Sequence, residues 1–206
     1  LVNVLLEFNQ PAHAYRLDGK PVPSVTQALG VLESYLGIPE SVLEAARQRG
    51  ELVHQGCDQI DREVFDADAW QAVLPELAPW FEGYRNWLAD SGATILSSER
   101  RVGSPKFGYA GTLDAMAEIN GTLALIDRKA TAEIPPTVGP QTAAYLQAYQ
   151  ETYPGKQKGQ RFARYCLQLN PAHTRGYKFQ RLNDPADWSV FVSCLNVKKW
   201  KDKHAA

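Results

Sequence analysis

The chain lacks a cysteine framework, a membrane-length apolar run and a surplus of either charge. Its three cysteines, Cys57, Cys166 and Cys194, are scattered without any Cys-x-x-Cys spacing. That pattern offers no disulfide scaffold and no zinc or iron–sulfur signature, and it fits a reducing cytoplasm. The opening Leu1-Val2-Asn3-Val4-Leu5-Leu6 is apolar but short and has no basic flank, so neither a signal peptide nor a membrane span is expected. The chain begins on Leu1 rather than methionine, as a trimmed or tagged chain would. Net charge is −1, so no global basic field points to nucleic acid. A DNA enzyme is still compatible with this balance, because a local basic groove suffices and an acidic site offsets it. There are no repeats and no low-complexity tracts.

What is present is an ordinary globular composition, 44% hydrophobic and 22% charged over 206 residues. This length buries one substantial core, and the expectation is a single domain over 1–206. Residues 12–27 read as a hairpin turning at Asp18-Gly19, with Ser24 or Thr26 capping a short helix that ends near Gly30. Pro39-Glu40-Ser41 opens a second helix. A third starts at Asp66-Ala67-Asp68 and runs to Ser91-Gly92, with Trp70, Trp80 and Trp87 at helical spacing, as core residues rather than base-stacking platforms. Three strands are expected over 94–102, 108–119 and 122–131, then a helix over 140–153 and strands over 161–169 and 177–182. Pro185 opens a last amphipathic helix with a basic, solvated end at Lys198-Lys199-Trp200-Lys201. This order predicts an α/β fold with a central mixed sheet flanked by helices.

The densest chemical signal is Gly111-Thr112-Leu113-Asp114, Asn120-Gly121 and Asp127-Arg128-Lys129. Asn-Gly between two apolar runs is a strong signal for a two-residue hairpin turn. With Asn120 and Gly121 as the loop, Ile119 pairs with Thr122, and the same register sets Asp114 opposite Asp127. Directly opposed residues have Cβ atoms roughly 4.5–5.5 Å apart. Two carboxylates so placed need a proton or a cation between them. Period-two alternation adds Lys129 to the face of Asp127 and turns Arg128 to the other, where it needs a partner such as a helix carboxylate. Two aspartates and a backbone carbonyl suit magnesium, and the lysine can orient or deprotonate water or neutralise charge developing at phosphorus. The bland alternative is a solvent-facing strand surface neutralised by Lys129.

Other candidates read two ways. His54 shares a helix face with Gly50, whose missing side chain suggests close approach by another group; by itself such a histidine is structural or a ligand. Gln141 and Tyr145 form an i,i+4 pair aimed at substrate or water, or a polar residue and a half-buried tyrosine. Glu99 is a carboxylate serving metal or substrate, or part of an edge-strand charge cluster with Arg100 and Arg101. Lys106 and Tyr109, around the 103–108 loop, would hold a phosphate and stack a base, or are simply solvated. Lys156, Lys158 and Arg161 carry the same ambiguity.

Taken together, Arg49-Gly50-Glu51-Leu52-Val53-His54, Gly111-Thr112-Leu113-Asp114, Ile126-Asp127-Arg128-Lys129 and Gln141-Thr142-Ala143-Ala144-Tyr145 resemble the RecB-like branch of the PD-(D/E)XK nuclease superfamily. The phage-type exonucleases are the nearest group, and the resemblance covers about residues 12–150. It implies a restriction-endonuclease-like core, with His54, Asp114, Asp127 and the Arg128 carbonyl as metal ligands. It implies Lys129 as the catalytic lysine and Gln141 with Tyr145 as supporting site residues. The proline of the superfamily name is absent before Asp114, as is usual in this branch, and Arg128 stands where relatives often carry an apolar or aromatic residue. Some relatives hold an iron–sulfur cluster on four cysteines, which three cannot supply.

The expected function is a magnesium-dependent DNA exonuclease, with manganese substituting, that leaves 5′-phosphates in phage or prophage recombination. Its setting would be the bacterial host cytoplasm, with DNA as partner, a phage single-strand annealing protein by analogy, and no membrane. The competing readings are a structure-specific endonuclease with the same site, a catalytically silent DNA-binding module, and a metal phosphodiesterase acting on something other than DNA.

Overall fold

A computed structural model describes residues 5–32, 37–154 and 159–205. Lys156 and Lys158 of the second basic stretch, and the first four residues of the apolar opening, lie outside the described residues. Three short strands come first, β1 Leu6–Asn9, β2 Ala14–Leu17 and β3 Lys20–Val22, paired antiparallel in that order. They lead into α1 Val25–Leu29, which Ser24 opens with a full capping box against Gln27. Then follow α2 Glu40–Asp61, α3 Ala67–Val73 and α4 Ala78–Ser91. The expected continuous third helix is thus in two pieces. Leu74-Pro75 interrupts it with a single 3₁₀ turn, because proline supplies no N–H to continue the α-helical ladder.

The remaining elements form the main layer. Strands β4 Thr94–Ser104, β5 Tyr109–Ile119, β6 Thr122–Lys129, β7 Phe162–Leu169 and β8 Tyr177–Leu182 lie side by side in sequence order. Only β6 and β7 run parallel, which makes the sheet mixed, and α5 Val138–Thr152 provides their crossover. The last element, α6 Asp187–His204, ends in exposed lysines. The fold is α/β with helices on both faces of a five-stranded mixed sheet, as the sequence predicts.

The two faces carry two cores. Leu113, Met116, Leu123 and Leu125 pack with α1, α5 and α6 on one side. Ala115, Ala117, Ala124, Ile126 and Leu167 pack with α2 and α4 on the other. Trp87, 1% exposed, is the largest member of the second core, with Trp70 and Trp80 against its edge. Each large apolar side chain so buried contributes roughly 1.5–3 kcal/mol.

Helix α4 and the loop before β8 meet backbone to backbone. A Cβ built on Gly83 would lie 2.5 Å from the carbonyl oxygen of Gly176, itself at φ 76°. Neither side has a flexible atom that can withdraw. Gly83→Ala should therefore cost about 1–3 kcal/mol as an overpacking defect. At roughly 2–4 °C per kcal/mol for a chain of this size, a thermal melt would show the loss directly.

Candidate active site

The Asn120-Gly121 turn sits with both residues at positive φ, 50° and 71°, as a two-residue type I′ connection requires. It sets the predicted register, Ile119 opposite Thr122, through to Ala115 opposite Ile126. The ladder stops one step short of the expected Asp114–Asp127 pair. There β5 and β6 part, and the Arg128 backbone N–H donates to Asp114 Oδ2 at 2.6 Å. The carboxylates are neighbours at a fork in the sheet rather than a ladder pair.

The other side of Asp114 is equally irregular. In the β4–β5 register Glu99 faces Asp114, between Ser98–Ala115 and Arg100–Leu113, yet these two make no ladder pair. Glu99 carries a φ of 46°, a region that non-glycine residues rarely adopt. Leu113 and Met116 both point into the same core, so the alternation of β5 slips by one residue around Asp114. These departures gather carboxylates at one end of the sheet, where α2 brings His54. Nδ1 of His54 lies 3.6 Å from Asp114 Oδ1 and 3.9 Å from Glu99 Oε1. Its Nε2 donates to the Arg128 carbonyl at 3.0 Å.

His54, Glu99 and Asp114 each offer one ligand atom, all within 4.8 Å of one another, and so form a cluster able to hold a metal ion. Asp127 stands beside this group. Its side chain is 1% exposed, and Lys129 Nζ lies 2.8 Å from Oδ2. Gln141 Oε1 accepts from the same ammonium at 3.2 Å. Both Asp127 oxygens are buried without a hydrogen-bond donor of proper geometry. Two carboxylates and an imidazole in one cluster, with the buried carboxylate of Asp127, ion-paired to Lys129, adjacent, fit a divalent cation.

Electrostatics follow from this crowding. Burial pushes the Asp127 carboxyl up to about 6, although Lys129 opposes it; Asp114 adds to the rise. Burial works against the charged forms of Lys129 and His54, but neighbouring carboxylates win in both cases. Asp127 and Asp114 raise Lys129, and Asp114 and Glu99 raise His54. Tyr145 is held well above the usual phenol range by burial and by the two aspartates.

The group opens into a cleft of about 1070 Å³ that also takes in Gln141, Tyr145, Thr112, Tyr15 and Arg101. Gly50 lies in its wall. A Cβ there would meet nothing within 4 Å, so the glycine leaves open cleft where the sequence suggested a close neighbour. Tyr109 overturns its expected role. It is 0% exposed, donates to the Ala144 carbonyl at 2.8 Å and packs edge-on against Phe191, so no base can stack on it. Lys106 is exposed on the β4–β5 turn, outside the cleft lining, with its ammonium over the Phe107 ring. In the sequence Arg101 is only part of a charge cluster with Glu99 and Arg100. It lies two residues beyond Glu99 and lines the cleft with its guanidinium 4.8 Å from the Phe8 ring. Period-two alternation gave no signal for it, because the alternation breaks at Glu99.

No protein-family model matches the sequence, and no curated protein matches it either. Solved structures do. A candidate exonuclease from Eubacterium rectale superposes with a TM-score of 0.52 at 12% identity, covering 87% of this chain and 79% of that one. An alkaline exonuclease from Laribacter hongkongensis matches with a TM-score of 0.41 at 13% identity, covering 89% and 93%. The first of these likenesses is one of fold alone. Among the described residues, no helix is long and apolar enough to cross a membrane.

Proposed function

We propose that this chain is a divalent-metal-dependent deoxyribonuclease, one nuclease domain over 1–206 that digests DNA from an end and leaves 5′-phosphates. One observation carries the reading. His54, Glu99 and Asp114, a group suited to a cation, share a cleft with a lysine ammonium held by Asp127 and Gln141. Magnesium is the ion assigned, with manganese as substitute. His54, Glu99 and Asp114 would hold it, with Asp127 adjoining. When bound, the cation activates water and offsets charge on the leaving oxygen.

The protein's own groups do the rest. In the net reaction water adds to phosphorus, the P–O3′ bond breaks, and a proton from the water ends on the 3′ oxygen. Lys129 Nζ donates to the phosphoryl oxygens as their charge grows, and Gln141 keeps the ammonium aimed into the cleft. Tyr145, kept protonated, supplies a hydroxyl to the substrate. Arg101, at the rim with its guanidinium over the Phe8 ring, supplies a cation for a phosphate of the bound strand. Exonuclease action, a place in phage recombination beside an annealing protein, and a cytoplasmic setting rest on the family resemblance of the motifs.

Digestion of end-labelled linear and covalently closed circular DNA, with magnesium and with EDTA, tests the proposal. Loss of the linear DNA alone, and only with the metal, is the expected result. Cutting of the circle would replace exonuclease by endonuclease. Intact DNA in every lane, with metal-independent binding, would leave a silent DNA-binding module.

A further inference from the structure

Arg128 sits between the two residues of chemical interest on β6, yet its side chain leaves them. It passes to the other sheet face, where both it and its partner Asp61 are 1% exposed. Its guanidinium pairs with Asp61, the last residue of α2 before its C-terminal cap, and donates to the Tyr84 hydroxyl of α4 at 2.8 Å. A weaker contact reaches Ser98 Oγ of β4 at 3.4 Å. Tyr84 in turn donates to Asp61, closing a three-membered network.

The backbone of the same residue holds the site. Its N–H donates to Asp114 Oδ2, and its carbonyl accepts a hydrogen bond from the Nε2–H of His54. That second bond selects the tautomer whose lone pair lies on Nδ1, the atom facing Asp114 and Glu99. His54 and Asp61 are seven residues apart on α2, two helical turns along one face. Arg128 therefore grips that helix at two heights, by its carbonyl and by its guanidinium.

Stability alone does not account for an arginine here. A buried ion pair loses hydration that its attraction only partly restores, and apolar replacements of similar volume are often neutral or stabilising. We propose that Asp61, Tyr84 and the Arg128 side chain are positioning residues. They set the peptide groups of residue 128, and through them the rotation of the Asp114 carboxylate and the tautomer of His54. The inference rests on the metal-site reading above.

The test uses the full chain. Replacing both charges, Arg128→Met with Asp61→Leu, avoids stranding either one in the interior. Tyr84→Phe removes a single hydroxyl and guards against a double variant that fails to fold. Mn²⁺ binding is followed by loss of the free-ion electron paramagnetic resonance signal, alongside a thermal melt. The expected result is a cooperative melt near that of the wild type with Mn²⁺ binding weakened roughly 10–100-fold, the range for groups that orient a metal-binding histidine. Tyr84→Phe should weaken it several-fold. Folded variants that bind Mn²⁺ like the wild type would overturn the inference.

Metal-free protein gives an independent readout. Long-range proton–nitrogen spectra at alkaline pH should show His54 as one tautomer, protonated on Nε2, in the wild type and as a mixture in the variants. If the wild type binds no Mn²⁺, the metal-site reading fails. The tautomer spectra then decide the positioning role alone, and unchanged spectra would end it.

Discussion

Lys129→Ala should lower metal-dependent DNA hydrolysis by roughly 10²–10³-fold, the usual loss when one donor to developing transition-state charge is removed. Among the described residues, the geometry gives Lys129 no structural substitute. Its ammonium lies 2.8 Å from Asp127 and 3.2 Å from Gln141, with 20% of the side chain open to the cleft. Neighbouring carboxylates raise its pKa despite burial, so the group is a cation that donates rather than a free amine that accepts. The other cleft cations are differently engaged. Arg47 and Arg62 pair with Glu44 and Asp58, and Arg101 stands over Phe8. Because the substitution also deprives buried Asp127 of its counter-charge, a melt must accompany the assay. A variant folded at the assay temperature that binds DNA in EDTA but no longer digests it is the expected outcome. Activity within a few-fold of the wild type would remove Lys129 from the chemistry.

The sequence made the β5–β6 hairpin readable because its determinants are local. Asn120-Gly121 admits few backbone conformations, and period two then assigns every side chain to a face. The same counting sent Arg128 to the far face and asked for a helix carboxylate, which Asp61 supplies. Legibility ended where local rules break. Glu99 reaches the cluster through a left-handed residue in a strand that is also irregular between Ile95 and Ser97, and no composition signal marks either. Tyr109 looked like a loop-borne aromatic, but the groups that bury it, Ala144 and Phe191, come from helices far along the chain. The break at Pro75 was written in the sequence and was overridden by aromatic spacing that continues across it.

Glu99→Asn should move stability and metal binding in opposite directions. A non-glycine residue held in a sparsely populated backbone region costs about 1–3 kcal/mol and persists where function requires it. Asparagine tolerates the left-handed region far better than glutamate, so part of that strain is released. The change also removes a negative charge from a cluster that already holds Asp114 and Asp127. A net gain of about 1 kcal/mol follows, or roughly 2–4 °C in a melt without metal. The same change takes one carboxylate from the group that surrounds His54. Mn²⁺ affinity should fall by at least 10–100-fold, the loss typical when even a residue that only supports a ligand is removed. The two signs together discriminate between roles. An edge-strand charge with no part in the site would give the stability gain and leave Mn²⁺ binding untouched. A residue needed only for the fold would lower the melting temperature. A higher melting temperature with weakened Mn²⁺ binding and slower DNA digestion is what a strained ligand predicts, and calorimetric titration beside a melt reads both.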